Sequence, residues 1–186
     1  MDRFDFSPTP IVGLVLVQRK RLEDSRGFLS RLYCAEEFES AGVRRAISQI
    51  NHTLTRRKGA VRGMHFQRPP HGEIKVVSCL HGEVFDVAVD LRKNSPTFLK
   101  WHGEVLSAQN QRSMLIPEGF AHGFQALADD CELVYLHTTA YQQTAETALN
   151  ATDPRLAIAW PLGITEMSDR DRSHVMLAAD FEGIEP

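Results

Sequence analysis

The chain has 186 residues, of which 42% are hydrophobic and 24% are charged, which is typical of one globular domain spanning residues 1–186. Its formal net charge of −3 provides no basic surface for nucleic acid, so an anionic ligand needs a local cluster of cations. Because no apolar run reaches the length of a membrane span and no signal peptide is evident, we expect a cytoplasmic protein without a membrane partner.

Short strands dominate the predicted secondary structure. They are rich in aliphatic and aromatic residues and are separated by turn-forming clusters of Gly, Pro, Asn and Asp. The predicted strands are residues 11–18, 46–51, 61–66, 75–80, 84–91, 97–105, 113–116 and 132–138. Residues 35–41, followed by Gly42, predict one short helix with a glycine C-cap. This pattern predicts an all-β fold, a β-sandwich or jelly-roll barrel with a few short helices.

The segment 61–67 carries a cation and an imidazole three residues apart, Arg62 and His65. On a regular strand these side chains point to opposite faces, so they converge on one ligand only if the strand bends or ends there. Gly63 between them permits such a bend. A fixed cation beside a titratable base suits an enzyme that holds an anion and moves a proton. Taken alone, the segment favours an edge strand with a solvated Arg and a hydrogen-bonded His over a catalytic site.

Four further segments carry candidate chemistry. Residues 116–124 place His122 in a predicted turn crowded with glycine and aromatic residues, and residues 82–92 alternate strictly between apolar residues and other positions. Residues 135–141 space two tyrosines by six positions, and residues 168–171 form a Ser-Asp-Arg-Asp run. In this order, and together with the segment 61–67, these segments resemble the dTDP-4-dehydrorhamnose 3,5-epimerase family of nucleotide-sugar enzymes. The resemblance runs from Asp24 through Asp171.

The resemblance implies a cupin-type jelly roll and a reaction at carbons next to a ketone. The implied substrate is a nucleoside-diphosphate 4-keto-6-deoxyhexose whose C3, C5 or both are inverted through an enolate, in deoxysugar biosynthesis. No cofactor and no metal ion are implied. Four residues match the family's catalytic positions: His65 is the base, Asp171 its carboxylate partner, Lys75 the enolate-stabilising cation and Tyr135 the general acid. A carboxylate on one ring nitrogen fixes the tautomer of such a base, and a fixed cation stabilises a developing oxyanion.

Further positions match the family's substrate contacts. Arg26 and Arg62 match contacts to the diphosphate, for which the planar guanidinium is suited. The remaining matching positions, around the nucleoside and sugar, are Phe28, Gln49, Asn51, His122 and Tyr141, with Asp86 as polar support for the site. For His122 and Asp86 a purely structural role fits equally well.

The resemblance also implies a homodimer in which the N-terminal strands exchange between subunits, so that Arg26 and Phe28 complete the neighbour's site. The apolar run 11–17 favours this prediction, because a long exposed edge strand is otherwise an aggregation liability. The chain departs from the family's pattern at Arg31, where an acidic residue is common, and at Glu73-Ile74, where Gln-Gly is usual. The loop between Asn51 and Arg62 also looks one residue longer. These departures leave the nucleoside, and the number of carbons inverted, open.

Two other classes of function fit parts of the sequence. Pro117-x-Gly119-x-x-His122 resembles the second cupin motif, so the chain could be a metal-binding cupin, either oxygenase-like or a sensor. Its ligands would be drawn from His65, His71, Glu73 and His122, but the usual His-x-His pair is missing. A catalytically silent binding protein on the same fold is the third hypothesis. The three cysteines are odd in number and lack CxxC spacing, which predicts free thiols.

Overall fold

Two β-sheets form the body of the protein, in a computed structural model that describes residues 2–185. Strands and helices are numbered in chain order. The six-stranded sheet has the spatial order β1 (Phe4–Pro8), β2 (Val15–Arg19), β10 (Arg112–Ile116), β7 (Lys75–His81), β12 (Cys131–His137) and β5 (Gln49–Thr55). The five-stranded sheet has the order β13 (Glu146–Ala148), β6 (Val61–Gln67), β11 (Phe120–Ala126), β8 (Glu83–Asp90) and β9 (Trp101–Ser107).

The remaining elements lie outside the two large sheets. A separate hairpin consists of β3 (Arg21–Asp24) and β4 (Gly27–Ser30), and the two helices are α1 (Ala35–Ser40) and α2 (Asp169–Ser173). The predicted helix is therefore confirmed, with Gly42 at φ 98° just beyond its end. Among residues 2–185, no helix has the length and apolar character needed to cross a membrane.

The main core lies between the sheets because alternate residues of each strand point inward. Val77 and Met114 of the six-stranded sheet join Val84, Leu106 and Phe124 of the five-stranded sheet in one buried cluster. The predicted all-β sandwich is confirmed by this arrangement. Strand pairings within both sheets are antiparallel.

Several predicted boundaries differ from the structure. The strand predicted for residues 11–18 begins only at Val15, because Gly13 adopts φ 85° within a turn. The strand predicted for residues 97–105 begins at Trp101, after a further turn. The prediction that His122 lies in a turn is wrong, because it lies inside β11. Strands β1, β3, β4, β11 and β13 were not predicted from the sequence pattern.

The edge-strand argument for a dimer is also wrong in its premise. Within one chain, β2 is paired with β1 on one side and with β10 on the other. Ile11, Leu14 and Val17 are buried in the same chain. Apart from Val12, which is 52% exposed, the apolar run 11–17 packs within its own chain. The outer edges of this sheet are β1 and β5.

Candidate active site

A cavity of about 230 Å³ opens between the two sheets and is lined mainly by side chains of β5, β6, β7, β11 and β12. Most of the residues predicted for the site meet here: Gln49, Asn51, Arg62, His65, Lys75, His122, Tyr135 and Tyr141. The wall also contains residues that were not predicted as site residues: Thr53, Phe66, Gln67, Glu73, Phe124, His137 and Glu146.

A bend in β6 brings Arg62 and His65 to the same cavity. The pairing of β6 with β11 shifts register between His122 and Phe124, opposite Gly63. Gly63 adopts φ 140°, and a Cβ placed on it would lie 2.5 Å from the Cα of Gly123. Glycine is therefore required at this position both by conformation and by space. The bend that the sequence only permitted is present.

His65 is paired with the buried carboxylate of Asp171. Its Nε2 lies 2.7 Å from Asp171 Oδ1, and Asp171 is 4% exposed. Burial alone would raise the pKa of the Asp171 carboxyl, but the hydrogen bond and charge of His65 outweigh it and lower that pKa. Because an ionised carboxylate can only accept, Nε2–H is the donor and Nδ1 keeps the free lone pair. His65 is thus held in the tautomer that a base requires.

The position of Asp171 follows from α2. Ser168 is the N-cap residue of this helix, and its Oγ accepts a hydrogen bond of 3.0 Å from the Asp171 backbone N–H. The Gly63 backbone N–H also donates to Asp171 Oδ2, at 3.4 Å. A C-terminal helical turn therefore delivers a carboxylate to a strand more than a hundred positions earlier, at a separation of 106 residues from His65.

Tyr135 lies beside a second imidazole–carboxylate pair. His122 Nε2 lies 2.7 Å from the buried Oδ1 of Asp86, and the His122 and Tyr135 rings meet edge to face with centroids 5.9 Å apart. Burial and the negative charge of Asp86 raise the pKa of the Tyr135 phenol above its usual value. The phenol is thus held in its neutral form, which carries a proton that a basic acceptor in the cavity can take.

Lys75 lies in the same wall, next to two residues that sequence reasoning did not place at the site. Its Nζ lies 3.0 Å from Glu73 Oε1, and His137 Nδ1 lies 2.7 Å from Glu73 Oε2. All three side chains are nearly buried. The strand period gave a signal for His137, which follows Tyr135 by two positions and so shares its face.

Comparison with known proteins identifies the family. The profile described as dTDP-4-dehydrorhamnose 3,5-epimerase matches residues 8–179. The chain belongs to the dTDP-4-dehydrorhamnose 3,5-epimerase family. The resemblance inferred from the sequence motifs is thereby confirmed, and with it the expectation of an isomerase of deoxysugar biosynthesis.

Individual relatives of the epimerase family match over nearly the whole chain. A dTDP-4-dehydrorhamnose 3,5-epimerase from Shigella flexneri is 43% identical over 164 residues, covering 88% of this chain and 90% of the relative. A dTDP-4-dehydrorhamnose 3-epimerase from Streptomyces niveus is 38% identical, covering 92% of this chain and 83% of the relative. The structure of the Legionella pneumophila dTDP-6-deoxy-D-glucose-3,5-epimerase with dTDP-4-keto-L-rhamnose superimposes with a TM-score of 0.91 at 36% identity, covering 98% and 99% of the two chains.

Two positions that the epimerase family's pattern assigns to the site lie elsewhere in this chain. Arg26 and Phe28 are on the β3–β4 hairpin and do not line the cavity. Arg26 is paired with Asp24 at 2.6 Å in solvent. The Phe28 ring lies 4.2 Å from the guanidinium carbon of Arg21 and remains 56% exposed. One chain therefore brings together the other predicted residues without these two.

At the mouth of the cavity, Tyr141 is tied to Glu146, which sequence reasoning missed. The Tyr141 hydroxyl donates to Glu146 Oε2 at 2.7 Å, and Arg170 Nη2 lies 2.5 Å from the same oxygen. The hydrogen bond to Glu146 and burial raise the pKa of the Tyr141 phenol. Arg170, next to Asp171, thus links α2 to the rim of the cavity.

The ligand set of the metal-binding alternative is not assembled. Glu73 is engaged by Lys75 and His137, and His122 is engaged by Asp86. Within residues 2–185, the three-residue group with metal-ligand spacing is His65, Asp171 and His174, a different set that includes the His65–Asp171 pair. Together with the family match, this arrangement does not favour a metal-binding cupin. The predicted free thiols, Cys34, Cys79 and Cys131, are confirmed.

Proposed function

We propose that this protein is an epimerase of nucleoside-diphosphate 4-keto-6-deoxyhexoses, of the dTDP-4-dehydro-6-deoxyglucose type, that inverts C3, C5 or both. The observation that carries the proposal is the His65–Asp171 pair, at 2.7 Å, in the wall of a cavity that also holds Lys75 and Tyr135. The Legionella relative holding dTDP-4-keto-L-rhamnose supports this substrate class. Because the Streptomyces niveus relative is named a 3-epimerase, the proposal includes an enzyme that inverts C3 alone.

His65 is the base in the proposed reaction. A C–H bond next to a ketone is acidified because the resulting charge spreads to the ketone oxygen as an enolate. Nδ1 of His65 takes the proton, and the resulting imidazolium is stabilised by the Asp171 carboxylate on Nε2. Lys75 donates to the enolate oxygen, and its side chain is buried, a setting in which a fixed cation contributes most.

Tyr135 returns the proton in the proposed reaction. Inversion requires that the new C–H bond form on the face opposite the base, so a second group must act as the acid. The phenol is protonated near pH 7, as any tyrosine is, and burial and the charge of Asp86 raise its pKa further, so it holds its proton until the enolate is present to accept it. After it donates, the phenolate regains a proton from solvent, and His65 releases its own proton, so the enzyme returns to its starting state.

The nucleotide is expected to be held by a set of polar and aromatic side chains. Arg62, on β6, is suited to the diphosphate, and its Nη2 already donates to the Leu54 carbonyl at 3.1 Å. The proposed contacts to the sugar and nucleoside are Gln49, Asn51, His122 and Tyr141, with Arg26 and Phe28 supplied by a second copy of the chain.

We propose that the active species is a homodimer with exchanged N-terminal strands. The support is that Arg26 and Phe28 lie on an exposed hairpin away from the cavity of their own chain. In addition, β5 is a sheet edge that carries Ile50 at 64% exposure. If the hairpin reaches into the neighbouring subunit, Phe28 and Ile50 gain apolar contacts there and each cavity is completed by the other subunit.

Complementation between two inactive variants tests this dimer. Arg26→Ala and His65→Ala damage different parts of one composite site, so each homodimer should be nearly inactive. After mixing and subunit exchange, about a quarter of wild-type activity should return, because half of the dimers are mixed and one of their two sites is intact. Absence of recovery despite demonstrated exchange, or a fully active monomer by sedimentation at micromolar concentration, would contradict the proposal.

Proton exchange with heavy water tests the reaction itself. Candidate 4-keto sugar nucleotides that differ in nucleoside and in C3 or C5 configuration are incubated with the enzyme, and NMR scores which ring positions gain deuterium. We expect deuterium at C3, C5 or both, with a product of inverted configuration at each exchanged carbon. Failure of every candidate to exchange would overturn the proposed function.

We also propose that residues 1–186 act as one cupin-like domain in the cytoplasm. Support for one domain is that both sheets contribute to the same buried cluster. Support for a reducing compartment is the set of free thiols, of which Cys79 has its pKa raised to about 12 by burial. One unfolding transition that is insensitive to reductant is expected, and two separate transitions would contradict the single domain. Cell fractionation tests the compartment.

A further inference from the structure

Glu73 is a buried carboxylate that the proposed chemistry does not use. Its side chain is 9% exposed and lies between Lys75, 10% exposed, and His137, 10% exposed. Burial alone would raise the pKa of the Glu73 carboxyl, but the hydrogen bond from His137 and the charge of Lys75 hold it below the usual value. Three ionisable groups buried at one point of a catalytic cavity are costly unless each is paired, and here each is.

Glu73, Lys75 and His137 lie at one end of a series of hydrogen bonds in which the donor and the acceptor of each bond can be assigned. The Tyr141 backbone N–H, which can only donate, lies 2.9 Å from Gln49 Oε1. Gln49 therefore presents Nε2 to Asn51 Oδ1 at 3.0 Å, and Asn51 presents Nδ2 to His137 Nε2 at 3.4 Å. His137 must accept at Nε2, so its proton is on Nδ1, which donates to Glu73 Oε2 at 2.7 Å.

The contact between Lys75 and Glu73 agrees with these donor and acceptor assignments. An ammonium has donors only, so Lys75 donates to Glu73 Oε1. Because His137 donates to Oε2, Glu73 must accept a hydrogen bond at both of its oxygens. An ionised carboxylate is the one acidic or amide side chain that accepts at both oxygens. The series of hydrogen bonds from Tyr141 to Lys75 is thus consistent only with ionised Glu73 and neutral His137.

We propose that Glu73 is a positioning residue that fixes the Nδ1–H tautomer of His137 and the direction of Lys75. The proposal rests on the proposed function for its kinetic consequence, though not for its structural one. Gln49 and Asn51 belong to the same series of hydrogen bonds, so Glu73 also orients two of the expected sugar contacts. The remaining ionisable groups of the cavity wall are Arg62 and His65 on β6, His122 on β11, Tyr135 on β12, Glu146 on β13 and Tyr141 in the preceding loop.

Glu73→Gln is the informative change because it keeps the shape and removes one acceptor. The amide oxygen must still face Lys75, so the NH2 group faces His137 Nδ1 and forces its proton to Nε2. That proton then meets the Asn51 NH2 group, and two donors are opposed. Losing one charge-assisted hydrogen bond corresponds to about a 10- to 150-fold effect, which should appear in kcat because the reacting wall is displaced. Affinity for inorganic diphosphate alone should stay within about twofold, since the proposed phosphate contacts, Arg26 and Arg62, lie outside these hydrogen bonds.

A matched control exists on the surface. His52 and Glu132 form an exposed pair at 2.8 Å, so Glu132→Gln removes the same charge from the same kind of pair without touching the cavity. Its kcat and its pH–rate profile should match those of the wild type.

The deciding measurement is the tautomer of His137 by ¹⁵N NMR of the histidine rings, assigned with His137→Gln. We expect Nδ1–H in the wild type and in Glu132→Gln, and Nε2–H in Glu73→Gln. An Nε2–H tautomer in the wild type, or an unchanged tautomer and kcat in folded Glu73→Gln, would overturn the proposal. If wild-type protein shows the Nδ1–H tautomer but no candidate sugar exchanges, the proposed function fails while the positioning contact stands.

Discussion

Replacing Asp171 by Asn tests the pairing on which the proposed base depends. The substitution preserves size and removes the charge that stabilises the His65 imidazolium. It also creates a conflict, because Asp171 accepts at both oxygens, from His65 on Oδ1 and from the Gly63 backbone N–H on Oδ2. An amide has one acceptor, so its NH2 group opposes a donor in either orientation.

The size of the effect follows from the geometry. A hydrogen bond to a charged group at 2.7 Å in a buried setting contributes about 1.5–3 kcal/mol net, so its loss predicts a fall in kcat of about 10- to 150-fold. The donor conflict at Gly63 places the expectation near the upper end, about 10²-fold. Removing the base itself, in His65→Ala, should cost more, up to about 10⁴-fold.

The assay is deuterium wash-in and product formation, followed by NMR at neutral pH. Asp169→Asn serves as the matched control, because Asp169 lies in the same short helix and is exposed. Thermal unfolding of both variants separates loss of catalysis from loss of structure. Near-native turnover in folded Asp171→Asn would refute the role assigned to this carboxylate.

Three further outcomes are expected. Tyr135→Phe should slow inversion of the ring carbon more than it slows deuterium exchange, because deuterium then returns to the face from which the proton left. NMR of the product configuration measures this, and an equal loss of both rates would contradict a separate acid. Gly63→Ala should lower the melting temperature strongly, because its Cβ would lie 2.5 Å from Gly123 Cα, whereas Gly163→Ala meets nothing within 4 Å and should be tolerated. The lowered pKa of Glu73 means that its stabilising contribution is complete above about pH 4.5 and is lost as pH falls through the lowered value. The unfolding free energies of the wild type and Glu73→Gln should therefore differ by a constant amount from pH 6 to pH 7 and converge in acid, and a constant difference down to about pH 3 would contradict this.

The fold class could be predicted from local patterns because strand alternation and turn residues act within a few positions. The same patterns missed β11, since Gly119 and Gly123, on either side of His122, suggested a turn. Gly123 is instead required inside the strand, where a Cβ would lie 2.7 Å from the Arg62 carbonyl and 2.6 Å from Met64 Sδ. The β3–β4 hairpin was missed because its exposed residues lack an alternating apolar face.

The site could be predicted only where a family motif marked it. Nothing local links His65 to Asp171, which are 106 positions apart, so the resemblance supplied that pair. The roles of Glu73 and His137 were missed because Glu73 was considered only as a metal ligand and the face that His137 shares with Tyr135 was overlooked. The pairing of β12 with β7, which sets His137 opposite Lys75, brings the two residues together. Arg26 and Phe28 were matched to the site, but no single chain places them there.

His65, as the proton-abstracting base, is the residue on which the proposed mechanism depends most directly. The test is deuterium incorporation from heavy water into a 4-keto sugar nucleotide by wild-type protein and by folded His65→Ala, under identical conditions. We predict exchange at C3, C5 or both with the wild type and a loss of about 10²- to 10⁴-fold in both exchange and product formation with the variant. Near-native exchange by His65→Ala would contradict the mechanism proposed for this chain.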